Sequence, residues 1–197
     1  MLGGLLAAVV LAAPTVTACS LVQRVQAASE PAPPLAPLGP ADLPMPASAR
    51  TPDAEGAEAF ARYYVVLMNL AAGTAVVGPM QDFSYRCDAC ARWWQRIYGQ
   101  AAKERNADFR HEHGQTVVID ARAEVTDVQH GDDGRVDWAS SEVELVVKIA
   151  ASREVLATTG DPLPGSEKPA RDWQGTIRLI WSDDDSSWAT EDLPGGW

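Results

Sequence analysis

The feature that most limits what this chain can fold into is a change of period near residue 110. Before it, apolar residues recur at helical spacing: Phe60, Tyr64, Leu67 and Ala71, then Trp94, Ile97 and Ala101, with Trp93 on a neighbouring face. After it they alternate: Val117, Ile119, Ala121, Ala123 and Val125 with Thr116, Asp120, Arg122 and Glu124, then Val143, Leu145, Val147 and Ile149 with Glu142, Glu144 and Lys148. Alternation of this length predicts strands with one buried face. On that reading Val117 and Ile119 face the core, and Asp120 and Arg122 face away. Helices followed by antiparallel strands, each with one apolar face, define an α+β domain in which N-terminal helices pack on a curved sheet.

The helices have start and stop signals. Thr51 is a plausible N-cap with Pro52 at the first helical position, and Gly73 can close the helix. A short helix is expected from Pro79, including Met80 and Phe83, and a longer one from about Asp88 to Arg105. Asp132-Asp133-Gly134 reads as a turn between the two long strands. Further strands are expected at Arg153 to Thr159, around Trp173 to Trp181, and from Trp188 to Leu193. The turn between the last two holds Asp183, Asp184 and Asp185.

The chain opens with an apolar run from Leu5 to Ala13, too short to span a bilayer, followed by small residues, as in a secretory signal. No Lys or Arg precedes the run, so the true translation start is open. The Val16-Thr17-Ala18-Cys19 ending resembles the lipobox of bacterial lipoproteins. That resemblance implies a signal peptide at 1–18, a fatty-acylated (palmitate-type) Cys19 as first mature residue, and attachment to the extracytoplasmic face of the cell membrane. Eight of the fourteen prolines then fall between Pro31 and Pro52. A tether at 19–53 and a globular domain at 54–197 follow, the tether extended and burying no apolar surface.

Formal net charge is −11, which disfavours nucleic acid as a partner because phosphate binding depends on neutralising Lys and Arg, so none is expected. With Cys19 assigned to lipid, Cys87 and Cys90 are an even pair. In an exported chain a bridge between them is the default. A Cys-x-x-Cys at a helix start also suits thiol–disulfide exchange. Asp88 opposes thiolate formation, and the motif does not follow the strand of a βαβ unit, so a structural staple is preferred.

Ala57-Glu58-Ala59-Phe60 with Tyr64 and Asn69, Cys87-Asp88-Ala89-Cys90, and the closing Trp181…Trp188-Ala189-Thr190 are similar to an uncharacterised family of actinobacterial lipoproteins with a nuclear-transport-factor-like, or cystatin-like, cone domain. The likeness covers about residues 55 to 193. It implies a fold and a location, brings no catalytic residue with it, and leaves homodimerisation through the sheet open.

No catalytic constellation is found, and no cofactor is called for. His111-Glu112-His113 lacks a third ligand nearby and reads as solvated loop histidines, with His130 beyond the long strand. Asp183-Asp184-Asp185 lacks the central Gly and the closing Glu of a calcium loop. The aromatic set is mostly core. Tyr64, Trp94, Trp138, Trp173 and Trp181 are candidates to line a cone mouth for an apolar or glycan ligand. The expected function is therefore an envelope lipoprotein with a non-catalytic domain that binds a protein or a small apolar ligand. The alternatives are a carrier or enzyme using the cone pocket, and a thiol–disulfide protein.

Overall fold

The computed structural model of the chain describes residues 36–112 and 114–195. Cys19, the 1–18 signal and the tether up to residue 35 lie outside these residues, as does His113. The order is a 3-10 turn at Ala47–Arg50, α1 (Ala54–Thr74), α2 (Gly78–Gln81), α3 (Asp88–Asn106), β1 (Phe109–Glu112), β2 (Thr116–His130), β3 (Val136–Ile149), β4 (Arg153–Leu156), β5 (Arg171–Ser182) and β6 (Ser187–Asp192). The fold is α+β, with helices packed against a curved, unclosed antiparallel sheet. The main sheet runs β2-β3-β5-β6, and β1 pairs with β4 in a separate two-stranded sheet.

One face of the main sheet builds the core. Ala139, Val143, Leu145 and Val147 of β3, Ile177, Leu179 and Trp181 of β5 and Trp188 of β6 are buried against Phe60, Tyr64, Leu67, Met68 and Ala71 of α1. Trp181 and Trp188 are cross-strand partners whose rings meet edge to face at 5.8 Å, a favoured aromatic geometry. Gly175 is required by Trp173: a Cβ there would strike the Trp173 ring.

The long alternation of β2 is broken where the sequence reads as continuous. A bulge between Val118 and Asp120 leaves Ile119 without a partner and changes which residues face inward. Ala121, Ala123 and Val125 lie on the core side as expected. Val117 and Ile119 do not: they are 52% and 59% exposed, and Val118 packs on the core in their place. One inserted residue reverses every position before it.

The helix signals are shifted. Asp53, not Thr51, caps α1, its carboxylate accepting from the Gly56 amide at 2.7 Å. Thr51 donates its hydroxyl to the same carboxylate. The closing residue is Ala75 in the left-handed region (φ 58°), its amide bonded to the Ala71 carbonyl, so Gly73 lies inside the last turn. In α3 the deepest side chains are Cys90 and Trp93, with Trp94 and Ile97 half-buried beside them.

The domain boundary also moves. The compact unit begins at Pro37, not at 54. Residues 37–50 form a proline-bearing strap that does bury apolar surface: Met45 and Ala49 are in the core, and Leu38 and Leu43 pack against it. The strap closes on itself through Met45 N–H to Leu38 carbonyl (2.7 Å). Tyr63 donates its hydroxyl to the Leu43 carbonyl (3.0 Å) and Trp188 its indole N–H to the Thr51 carbonyl (2.8 Å). Gly39 has φ 91°, and a Cβ there would meet the Tyr63 hydroxyl. The expectation of an unpacked tether failed here because Leu38, Leu43 and Met45 are interleaved with the prolines.

Candidate binding cleft

The five aromatic residues expected at one mouth are not brought together. Tyr64 is fully buried, its hydroxyl hydrogen-bonded to Ser84 at 3.0 Å, and burial pushes it up to about 12. Trp181 is core and donates to the Val136 carbonyl. Trp94 and Trp173 are half-buried and packed against the core. Of the five, Trp138 lines a cleft of about 570 Å³.

That cleft wraps the β6 edge of the sheet. Trp138, Ile180 and Ala189 contribute from the sheet face opposite the core. Leu38 comes from the strap, and Phe83 and Tyr85 come from the segment after α2. The segment is placed by backbone pairing: Thr190 N–H donates to the Phe83 carbonyl and Tyr85 N–H to the Thr190 carbonyl, both at 2.8 Å. Phe83 is anchored in the core edge-to-face on Phe60 and Tyr63. Asp82 and Asp185 stand at the rim, both exposed. The volume is ordinary for a ligand site, and apolar walls with a few polar groups are the usual construction.

A second groove of about 720 Å³ lies between α1 and the start of β2, with Val66, Leu70 and Val117 in its walls. Its polar side chains are already engaged. Asn69 donates to the Thr116 carbonyl and accepts from the Thr116 amide, both at 2.8 Å, and Arg62 donates to the Val118 carbonyl. Together with Glu58, which accepts from the Ala123 amide at 3.1 Å, they satisfy the free edge of β2. This groove closes an edge; the β6 cleft keeps its polar groups available.

Cys87 and Cys90 are joined in a disulfide. Cys87 is the N-cap of α3, its sulfur accepting from the Cys90 amide at 3.0 Å, and Cys90 is fully buried. Exchange requires a thiol to reach a sulfur, which this burial hinders. The closed loop is short, and its entropic benefit is about 2 kcal/mol.

His111 lies on a strand, not in the expected loop, because residues 109–112 pair with β4. Its Nδ1 is 2.8 Å from Glu104 of α3 and its Nε2 is 2.7 Å from Glu154 of β4. With both ring nitrogens engaged, the imidazole ties α3 to the small sheet and offers no open nitrogen to a substrate. Burial raises Glu104, but hydrogen bonds from Gln100 and from the His111 amide and ring outweigh it and hold the carboxyl below its ordinary value. His130 sits at the β2–β3 turn with Nδ1 3.3 Å from the Gly134 carbonyl. Asp120 pairs with Arg122 on the surface at 3.2 Å. Among the described residues no three His, Cys, Asp or Glu side chains are arranged to hold a metal ion.

Sequence reasoning found Trp138 but missed Phe83, Tyr85, Asp82 and Asp185. The available signal was the Phe83–Tyr85 pair in a segment too short for a helical period. Asp185 was visible only as part of a turn.

Neither a protein-family profile nor a curated protein matches the sequence. Among solved structures, the chain is similar to the crystal structure of the intermembrane space region of chloroplast protein ARC6, at 15% identity and a TM-score of 0.38, covering 71% of this chain and 92% of that one. A likeness at that level carries no argument about function.

Proposed function

We propose that this chain is an exported lipoprotein, held at the extracytoplasmic face of the membrane by lipid on Cys19, whose domain is a non-catalytic binding module working through the β6 cleft. The carrying observation is the cleft itself: Tyr85 and Trp138 in its walls, and at its rim the carboxylates of Asp82 and Asp185, which have no hydrogen-bond or ion-pair partner among the described residues. The Val16-Thr17-Ala18-Cys19 ending supports the location. Membership of the actinobacterial lipoprotein family with a nuclear-transport-factor-like domain is part of the same proposal. Carrier or enzyme chemistry in the cleft is less well supported, since the lining residues include two carboxylates but no histidine. Thiol exchange is less well supported too, given the burial of Cys90.

Two measurements test this. Cys19→Ala should abolish metabolic labelling with a fatty-acid probe and release the protein from the membrane fraction. A mutant that still labels and still sediments with membranes would refute the anchor. A photo-crosslinking residue at Tyr85 should capture one stoichiometric envelope component in the native cell. Equal capture from a control position on the opposite end of the sheet, such as Lys148, would count against the cleft as the site.

A further inference from the structure

We infer that the β6 cleft takes a protein segment carrying arginine or lysine beside apolar side chains. This rests on the reading of the domain as a binding module and adds the chemistry of its partner.

The charge around the cleft points one way. Asp82 and Asp185 stand at its rim. Asp183 and Asp184 share the β5–β6 turn with Asp185. The β2–β3 turn carries Asp132 and Asp133, and Asp137 follows at the start of β3, joined to the same end of the sheet by Asp183 N–H to the Asp137 carbonyl at 3.1 Å. Of the cations nearby, Arg135 is paired with Asp133 at 3.2 Å, Arg50 donates to the Ser186 carbonyl, and Arg86 lies over the Tyr85 ring, leaving the carboxylates in the majority. An anionic ligand would meet this field unfavourably, and a cationic one would be drawn to it.

The walls suit the same occupant. Trp is the best aromatic surface for a cation, and the Trp138 ring has no cation over it among the described residues. Tyr85 already acts this way within the chain, with the Arg86 guanidinium 5.2 Å from its ring centre. Leu38, Ile180 and Ala189 offer apolar surface for the methylene stem of an arginine or lysine, or for a neighbouring apolar side chain. The charged head can then reach the Asp82 or Asp185 carboxylate at the rim.

The test is an amide-shift titration of the isotope-labelled full chain with the peptide acetyl-Ala-Leu-Arg-Leu-Arg-Ala-amide. Saturable shifts are expected at residues 82–85, at Trp138 and at 185–189. Replacing both peptide arginines by glutamine should weaken binding about tenfold, as should the Asp82→Asn/Asp185→Asn double variant, and about 0.5 M salt should weaken it in the same direction. Trp138→Ala should cost about five- to tenfold. Equal affinity for the glutamine peptide, or shifts confined to other regions, would overturn the proposal. So would saturable filling of the cleft by a neutral N-acetylglucosamine trimer with no response to the arginine peptide. A cleft that binds only neutral probes would keep the binding module and lose the cation, so the two failures are distinguishable.

Discussion

The main sheet has two edges, β2 and β6, and the chain closes them by different chemistry. At β2, side chains from one helix do the work: Glu58, Arg62 and Asn69 of α1 reach the backbone of Ala123, Val118 and Thr116. At β6, backbone meets backbone, through the 83–85 segment on Thr190, and the strap follows alongside, tied by Trp188 to Thr51. Both solutions satisfy groups that would otherwise invite another strand. Side-chain closure leaves a groove whose polar groups are engaged. Backbone closure needs no side chain, so the Asp82 and Asp185 carboxylates stay unengaged at the rim of the cleft at β6. An edge sealed by main chain is free to carry a site in its side chains.

The largest expected effect tests the β6 side. Trp188→Ala removes a fully buried indole and should destabilise the domain by about 3–5 kcal/mol in urea unfolding. The milder Trp188→Phe removes the donor to Thr51 and should lower hydrogen-exchange protection at Met45 and Ala49 before the sheet itself. Unchanged protection there would mean that the strap is held by apolar packing alone.

At β2, Asn69→Ala leaves both polar backbone groups of Thr116 without their partner and should cost about 2 kcal/mol. A loss below about 0.5 kcal/mol would show that water replaces the amide and that the edge tolerates exposure.

The smallest effect concerns a third seam, where Glu104 and Glu154 flank His111. Glu104 is held below its ordinary value in the folded chain. Its contribution is therefore present above the unfolded value, about 4.3, and is lost as pH falls through the folded value beneath it. The stability difference between the native chain and Glu104→Gln should shrink as pH falls below about 4. A difference that does not vary with pH would remove the carboxylate from the account.

What could be read in the sequence followed from local regularity. The spacing of Phe60, Tyr64, Leu67 and Ala71 and the alternation of β3 and β5 carried the α+β class. The Cys87–Cys90 pair was visible as a staple. Three features were not visible, each for a physical reason. The Ile119 bulge leaves the apolar alternation intact and changes only which side it faces. The strand at 109–112 is four residues long and exists through pairing with 153–156, far along the chain. The cleft draws on Leu38, Phe83 and Tyr85, Trp138, and Ile180, four separate stretches of chain with no shared motif. Asn69 was noticed as part of a resemblance, but its role on the Thr116 backbone depends on a tertiary contact.

The strap at 37–50 has a mechanical consequence. Tension applied from the N-terminal side is borne first by the Leu38–Met45 hydrogen bond, by Tyr63 on Leu43 and by Trp188 on Thr51, and only afterwards by the sheet. These ties are arranged in sequence, so they yield one after another instead of all at once. Each residue peeled away frees at most about 3.5 Å of chain, so the full strap has an extended length of roughly 50 Å. Peeling the strap exposes Met45 and Ala49, so apolar burial opposes its release.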